Sequence, residues 1–218
     1  MKKKLTNKAI RDEAGKFAKA ISKIENSELY NINDGKSVGT YVEHKFQNIL
    51  SETYEYEIGN SARGIDFPEL QIDLKVTNYR QPQSSCPYRS ANQKIFGLGY
   101  SLLIFVYEKI DNNELQSSRL NILHSIFVDS TKTADYQITT SIKKIIENNG
   151  NSDDLIALMR EKNLPIDFDI EGPIIAEKLL NNPFEIGYLT IANALQWRLQ
   201  YGRVIQKAGK IDGIIKIT

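Results

Sequence analysis

The sequence predicts an α/β fold, in which helices flank a mixed central β-sheet and a helical lobe follows at the C-terminal end. Three observations predict it. Residues 6–24 carry apolar side chains at helical spacing, residues 64–77 alternate as a hairpin does, and residues 102–107 form an unbroken apolar run. Such a run is typical of a central strand buried on both faces. We expect one domain, with an α/β core in residues 1–130 and a mainly helical lobe in residues 131–218.

The composition excludes several classes of protein. Of 218 residues, 41% are hydrophobic and 25% are charged, as in ordinary globular domains, and no apolar stretch is long enough to span a membrane. The formal net charge of +1 means that any DNA-binding surface must be a local patch. A single cysteine, Cys86, excludes an intramolecular disulfide, and the basic N-terminus lacks the apolar core of a signal peptide. We therefore expect a cytoplasmic protein.

Two helices are predicted before the hairpin. The first, residues 6–24, has a narrow apolar stripe formed by Ile10, Ala14, Phe17, Ile21 and Ile24. Its basic face favours a solvated surface, with a dimer contact or a DNA-backbone contact as alternatives. The second follows the polar turn 31–39 and ends near Glu52. Glu43 lies at the margin of its apolar face, where an acid is either exposed and inert or directed inward to a metal ion.

The predicted hairpin gathers three charged side chains on one face. A first strand over 54–58 leads into it. In its second half, Ile72, Leu74 and Val76 alternate with Asp73, Lys75 and Thr77. In its first half Asp66 stands between two apolar residues, and a Pro-Glu turn separates the halves. The apolar side chains would face the core and leave Asp66, Asp73 and Lys75 together on the opposite face.

That grouping points to a metal site for phosphate chemistry. Two carboxylates about 4 Å apart repel by roughly 4 kcal/mol at an effective dielectric near 20, and burial would drive one of them to take up a proton. A divalent cation removes this cost, and oxygen ligands favour Mg²⁺. A lysine on the same face can orient a water molecule or stabilise negative charge on a phosphate. The alternative is an ordinary solvated strand face, on which Asp-x-Lys is common.

Two segments resemble the PD-(D/E)xK nuclease superfamily, and within it the MutH-like nucleases. Gly35-Lys-Ser-Val-Gly-Thr-Tyr-Val-Glu43 is similar to their Gly-x-x-(Ile/Val)-Glu helix. Asp66-Phe-Pro-Glu-Leu-Gln-Ile-Asp-Leu-Lys-Val-Thr77 is similar to their Asp-Phe…(Val/Ile)-Glu-Leu-Lys segment. Asp73 stands where the MutH-like nucleases have Glu, Ile65 replaces the expected Pro, and the gap from Glu43 to Asp66 is longer. These departures favour the wider superfamily. The resemblance covers the first half of the chain.

The resemblance implies a restriction-endonuclease-like fold and a single nuclease domain. It implies a Mg²⁺-dependent, sequence-specific endonuclease of the type II restriction type, which cuts double-stranded DNA to leave 5′-phosphate and 3′-hydroxyl ends. Asp66 and Asp73 would bind the metal, Glu43 would add a third carboxylate directly or through water, and the Leu74 carbonyl would be a further ligand. Lys75 would orient or activate the attacking water. A homodimer and a cognate DNA methyltransferase are the expected partners.

Three alternatives remain open from the sequence. A repair nicking nuclease or a junction-resolving nuclease would share the active site and differ in what it reads. A non-catalytic DNA-binding or interaction protein, in which Asp-x-Lys is accidental, is the third. Metal-dependent cleavage of plasmid DNA separates the last of these from the nucleases.

The polar segment 78–93 is the candidate for reading DNA sequence. It leaves the catalytic strand directly, and Arg can pair with guanine while Asn and Gln can pair with adenine. A plain surface loop would have the same composition. With the lysine that follows, the expected DNA contacts here are Arg80, Gln81, Gln83, Ser84, Arg89, Asn92 and Lys94.

The second half of the chain predicts two further strands, four helices and a closing strand. The strands cover 102–107 and 120–128, the latter with His124 as a structural residue, and the helices cover 139–148, 152–162, 174–181 and 189–207. The last is the longest, with Ile191, Leu195, Leu199 and Ile205 as its apolar residues. Its exposed face would carry Arg198 and Arg203 to DNA, and Trp197 and Tyr201 would either join that face or pack into the lobe. A closing strand is predicted over 211–217.

Overall fold

The computed structural model describes residues 2–59, 64–86, 89–192 and 197–218. The chain divides into two compact units. The first comprises residues 1–84, 100–129 and 200–218, and the second comprises residues 85–99 and 130–199. All four candidate catalytic side chains belong to the first unit.

Helices and strands alternate through most of the described residues. The helices are α1 Asn7–Ile21, α2 Gly35–Thr53, α3 Asn92–Phe96, α4 Tyr136–Glu147, α5 Ser152–Glu161, α6 Glu171–Asn181 and α7 Gly202–Lys207. The strands are β1 Lys3–Lys4, β2 Glu25–Asn26, β3 Tyr54–Glu55, β4 Ile72–Asn78, β5 Gln83–Cys86, β6 Ser101–Asn112, β7 Ser117–Val128, β8 Thr190–Ala192, β9 Trp197–Gln200 and β10 Ile214–Lys216. The α/β class predicted from the sequence is confirmed.

The main sheet of the first unit is mixed, as predicted. Its strand order is β10-β7-β6-β4, and β2 pairs with β7 outside this order. β4 runs parallel to β6, with Asp73 opposite Leu102, whereas β6, β7 and β10 pair antiparallel. Residues 101–107 of β6 are all buried, which confirms the predicted central strand. β4 is the last strand in this order. The edge of β4 that does not pair with β6 therefore faces the segment that carries Asp66.

Helices α1 and α2 bury their apolar faces in one core with the sheet. Phe46 of α2 lies at its centre, with its ring centroid 5.1 Å from Phe17 and 5.5 Å from Phe105. Ile72 and Leu74 of β4 belong to the same core. Because side chains alternate along a strand, this burial directs Asp73 and Lys75 to the other face of β4.

The first predicted elements are correct in type, but their bounds differ. Helix α2 begins at Gly35, inside the predicted turn 31–39, whereas the first helix and the first strand were predicted too long. α1 ends at Ile21, where the Ser22 hydroxyl donates to the Ala18 carbonyl, and Ile24 beyond it is 52% exposed. Of the strand predicted over 54–58, only β3 pairs, and it lies parallel to β1. The first half of the predicted hairpin is reduced to one antiparallel bridge, between Phe67 and Ile72.

The second unit contains helices α3 to α6, and residues 200–218 of the predicted C-terminal lobe belong to the first unit instead. Helices α4, α5 and α6 correspond to the first three segments predicted as helical in that lobe and share a core that includes Ile142, Leu155 and Leu179. The described part of the chain also contains a three-stranded sheet in the order β5-β9-β8. Within the described ranges, every helix is too short or too polar to cross a membrane.

The helix predicted over 189–207 is wrong. The chain forms β8 and β9 there and enters a helix only at α7, while Leu195 and Gln196 lie outside the described residues. Ile191, Leu195 and Leu199 lie four residues apart in the sequence, and this spacing fits both the helical and the strand period. From Trp197 to Gln200 burial alternates at every residue, which is the pattern of a strand. Both Trp197 and Tyr201 are buried, as the packing alternative for these two aromatics requires.

Candidate active site

Strand β4 places Asp73 and Lys75 side by side. The Lys75 Nζ lies 2.8 Å from the Asp73 Oδ2, and the Asp73 side chain is almost fully buried. The two residues are two positions apart on a strand, so their side chains leave the same face. Lys75 contacts one oxygen of the Asp73 carboxylate. The rest of the carboxylate can therefore bind a cation.

The turn before β4 brings Asp66 to the same place. The Phe67 N–H donates to the Ile72 carbonyl at 2.9 Å, and Gln71 adopts a left-handed conformation with φ of 52° to close the turn. As a result the Asp66 Oδ2 accepts a 2.7 Å hydrogen bond from the backbone N–H of Leu74. When Asp73 is protonated, its carboxyl can donate a hydrogen bond to the Asp66 carboxylate, which raises the pKa of Asp73. The structure therefore joins Asp66, Asp73 and Lys75 in one cluster, as predicted.

The Leu74 carbonyl faces the same edge of β4 as Asp66. In an extended strand the N–H and C=O of one residue point to the same side, and the Leu74 N–H points to Asp66. The neighbouring positions alternate in direction, since the Gln71 carbonyl accepts from Ser101 on the β6 side. The Leu74 carbonyl oxygen therefore lies at the edge of β4 that faces Asp66, at the position between Asp73 and Lys75 in the strand.

Helix α2 carries Glu43 towards this cluster. The helix begins at an Asp34 cap, whose Oδ1 accepts from the backbone of Lys36 at 2.9 Å. Further along, Gly39 faces Val76 of β4, with 3.9 Å between the site of a Cβ at Gly39 and the Val76 Cβ. Glu43, one turn later, is half-buried, and its Oε1 accepts a 3.3 Å hydrogen bond from Gln47.

The charge of Glu43 depends on the other site residues. Burial raises the pKa of Glu43, and the negative charge of Asp66 raises the pKa further, while the Lys75 ammonium lowers it. In residues 2–59, 64–86, 89–192 and 197–218, no three His, Cys, Asp or Glu side chains lie close enough together to hold one metal ion. A role for Glu43, as a direct ligand or through water, stays a prediction.

The residues present fit a divalent cation. Burial raises the pKa of Asp73 to about 7, and the hydrogen bond and negative charge of Asp66 also raise it, against the lowering effect of Lys75. The surroundings of Asp73 therefore disfavour its negative charge, and a bound cation would stabilise that charge. Two carboxylates and a backbone carbonyl are the hard oxygen donors that Mg²⁺ prefers.

We expect the metal-free protein to lose stability as the pH rises from about 4 to 7. The pKa of Asp73 is raised from 3.8 to about 7 in the folded state, so folding favours its protonated form between these values. The free energy of unfolding should then fall by up to about 1 kcal/mol per pH unit across that window. Thermal melts from pH 4 to 8 measure this. Ca²⁺ should remove the decline, and the Asp73→Asn variant should lack this component of it. An equal decline in that variant would assign it to other groups.

Three of the candidate DNA contacts in the first unit lie at the end of β4. Arg80 and Gln81 are exposed there, and Gln83 is half-buried at the start of β5. The Ser84 hydroxyl is bonded to the Tyr201 hydroxyl, and Arg203 is half-buried in α7. Arg80, Gln81 and Gln83 are therefore brought together beside the catalytic strand.

The other candidates belong to the second unit. Arg89 and Arg198 are exposed, and Asn92 begins α3. Lys94 is 5% exposed, its ammonium lies 5.9 Å from the centroid of the Trp197 ring, and burial lowers its pKa. A DNA contact by any of these residues stays a prediction, and Lys94 would first have to leave its buried position.

Three residues near the site are absent from the sequence-based prediction. Gln47 bonds Glu43 from one turn further along α2, Thr77 is buried with its hydroxyl bonded to Gln83, and Tyr79 is 38% exposed beyond the strand. The spacing of four residues from Glu43 was a signal for Gln47. The two-residue alternation from Asp73 onwards was a signal for Thr77 and Tyr79.

Comparison with known proteins agrees with a nuclease site. Residues 4–216 match the family described as type II restriction enzyme NspV. The chain is 58% identical over 213 residues to the type II restriction enzyme NspV of Nostoc sp. (strain ATCC 29411 / PCC 7524), and the match covers 98% of this chain and 96% of that protein. No solved structure matches the chain.

Proposed function

Because this chain belongs to the NspV family of type II restriction enzymes, we propose that it is a Mg²⁺-dependent endonuclease that cuts double-stranded DNA at a specific sequence. Enzymes of this class are hydrolases, namely site-specific deoxyribonucleases. The observation that carries the proposal is the cluster at β4, where Lys75 lies 2.8 Å from a buried Asp73 and Asp66 lies beside Asp73. A pair of acids, one of them buried, beside one lysine suits phosphodiester hydrolysis.

Asp66 and Asp73 would hold the Mg²⁺, with the Leu74 carbonyl beside them and Glu43 bound directly or through water. When bound, the metal supplies stabilisation of the charge that develops on the scissile phosphate and on the departing 3′ oxygen. The protein keeps these donors in place before DNA arrives. Asp66 is held by the Leu74 N–H, and Asp73 is held by its buried position in the sheet.

Lys75 would bind and orient the attacking water. Its ammonium is a triple donor that can bind the attacking water and orient its lone pair towards phosphorus. The same positive charge stabilises the phosphate oxygens as they gain negative charge. When water attacks phosphorus, the bond from phosphorus to the 3′ oxygen breaks. The oxygen of water stays on phosphorus as part of the 5′-phosphate, and a proton lost by that water is balanced by one gained by the 3′ oxygen, which becomes the 3′-hydroxyl end.

The remaining parts of the proposal concern fold and partners. The mixed sheet with Asp66, Asp73 and Lys75 at its β4 edge supports a restriction-endonuclease-like fold of the PD-(D/E)xK superfamily. Two active sites related by a twofold axis can cut both strands of a symmetric duplex site in one binding event, which supports a homodimer. A restriction enzyme must spare the DNA of its own cell, which supports a cognate DNA methyltransferase as partner and a cytoplasmic location.

Digestion of one mapped plasmid tests the proposed function. With Mg²⁺ the purified protein should give discrete fragments, and sequencing of the fragment ends should show one shared sequence at every cut. EDTA should stop the reaction. Nicked circles without linear products would support the repair nicking alternative. No cleavage with Mg²⁺ or Mn²⁺ over a range of pH would contradict the nuclease proposal itself.

Glu43→Gln is expected to raise the Mg²⁺ concentration needed for half-maximal cleavage. The change keeps the shape and the hydrogen bond with Gln47 and removes a negative charge close to Asp66 and Lys75. We expect a rise of about 10-fold, as for residues that support metal ligands. Glu52→Gln on the exposed face of the same helix is the matched control. An unchanged Mg²⁺ titration would make Glu43 a surface acid.

Arg80→Ala or Arg89→Ala is expected to lower selectivity for the cognate site. A bidentate contact from Arg to guanine contributes about 1–3 kcal/mol of discrimination, whereas loss of a phosphate contact weakens binding to all sequences alike. Binding to cognate and random duplexes in Ca²⁺, across a series of salt concentrations, separates the two cases. If both variants keep wild-type selectivity, recognition would be assigned instead to Arg198 and Arg203.

A further inference from the structure

The face of β4 that carries the catalytic candidates continues to Tyr79. Asp73, Lys75, Thr77 and Tyr79 occupy every second position, and the Tyr79 N–H donates to the Tyr107 carbonyl at 2.9 Å, so the pairing with β6 extends to this residue. Four residues of strand place Tyr79 about 13 Å from Lys75. Its side chain is 38% exposed. An aromatic ring therefore lies beyond the catalytic lysine, at the surface and in line with it.

The backbone around Tyr79 is fixed by side-chain hydrogen bonds. The buried Thr77 hydroxyl accepts from the Gln83 N–H at 2.9 Å and donates to the Gln83 carbonyl at 3.0 Å, so it closes the turn from below. The Arg80 N–H donates to the Asn78 Oδ1 at 2.9 Å. This turn is held in the protein alone, before any ligand binds, which lowers the entropy lost when its side chains make a contact.

The Arg80 guanidinium is in contact with the Tyr79 side chain. The Arg80 Cζ lies 5.8 Å from the centroid of the Tyr79 ring, and its Nε donates to the Tyr79 hydroxyl at 3.4 Å. A guanidinium held over an exposed ring presents a flat apolar surface and a positive charge together. Nucleobases and the phosphates that join them match both properties.

We propose that Tyr79 is a specificity-determining residue whose ring stacks on a nucleobase that leaves the duplex stack close to the scissile phosphate. Because the cost of unstacking depends on the base step, this contact favours the cognate sequence over random duplex. The inference rests on the proposed function, since it places the scissile phosphate at Lys75. A distance of about 13 Å corresponds to about four base pairs along duplex DNA. The stacked base therefore lies within about four base pairs of the cut. Arg80 supports the ring from one side and contacts the backbone or a base edge.

Duplexes with single 2-aminopurine substitutions test the stacking contact. The fluorescent base is placed in turn at each position within four base pairs of the cut, and the protein is added in Ca²⁺ so that cleavage does not interfere. With the wild-type protein the fluorescence should change at one position. Tyr79→Phe keeps the ring and should keep the signal. Tyr79→Ala should lose the signal and bind cognate duplex roughly 5- to 100-fold more weakly, while random duplex is affected less.

Tyr30→Ala is the matched control, because Tyr30 is a half-buried tyrosine that bonds Asn113 at the turn between β6 and β7. It should leave the signal and the affinity unchanged. Thermal melting identifies a variant that fails to fold, and the Tyr79→Phe result then decides. If the wild-type protein cuts DNA but gives no position-specific signal, or if Tyr79→Ala weakens cognate and random binding equally, the stacking inference is wrong and the proposed function stands. Failure of the wild-type protein to cut DNA would overturn both.

Discussion

Asp73→Asn is expected to abolish cleavage, with a fall in rate of at least about 10³-fold. Asp73 is the most deeply buried of the site acids, lies beside Asp66 and is paired with Lys75 at 2.8 Å. Asparagine has nearly the same shape and lacks the charge that balances a divalent cation. The loss of several kcal/mol of electrostatic stabilisation corresponds to this fall, since each 1.36 kcal/mol is a factor of ten.

Metal binding shows why the Asp73→Asn variant fails. We expect Tb³⁺ luminescence or Ca²⁺ titration to show weak binding or none, while the melting temperature at pH 8 stays equal or rises because the buried charge is gone. Asp111→Asn is the control, because Asp111 forms an ion pair with Lys109 on strand β6 with the same one-residue spacing. It should cut DNA at the wild-type rate. Full cleavage by Asp73→Asn would remove Asp73 from the chemistry.

Lys75→Ala is expected to lose cleavage by about 10²–10³-fold and to keep metal binding. Removing one preorganised donor to the reacting phosphate typically costs that much in rate. The Lys75 ammonium is one of the charges that lower the pKa of Asp73. Without it the carboxyl takes up a proton more readily, so metal binding is compared with wild type at pH 8.5 or above. This variant should bind Ca²⁺ and cognate DNA there and still fail to cut.

Comparison of Asp73→Asn with Lys75→Ala distinguishes metal binding from orientation of the attacking water, which an activity assay by itself does not distinguish. Loss of metal binding with Asp73→Asn and retention with Lys75→Ala would support Asp73 as ligand and Lys75 as the residue that orients water. Lys109→Ala, which removes the lysine of the control pair, should leave the cleavage rate unchanged. If Lys75→Ala cuts within a few-fold of the wild-type rate at any pH, water activation must be assigned to another group.

The prediction from sequence was most accurate where the evidence was local. Two-residue alternation from Ile72 to Thr77 requires Asp73 and Lys75 to leave one face, and the structure places their charged atoms 2.8 Å apart. The unbroken apolar run of β6 likewise required burial on both faces. The segment at 189–207 was mispredicted because apolar residues four positions apart satisfy both periods. Only burial against neighbouring elements distinguishes the two.

The sequence by itself determined that an acid and a lysine share a strand face, that a second acid precedes them across a turn, and that the fold is α/β. Only the tertiary structure decided which other groups reach them. Glu43 lies 23 residues before Asp66, and its approach depends on how α2 packs over Val76. The 2.7 Å bond from Leu74 to Asp66 depends on the left-handed Gln71 that closes the turn. Burial of Lys94, a candidate DNA contact, likewise follows from the packing of distant residues such as Trp197. Periodicity specifies the direction of a side chain relative to its own backbone, whereas distance, burial and pKa are set by segments far apart in the chain.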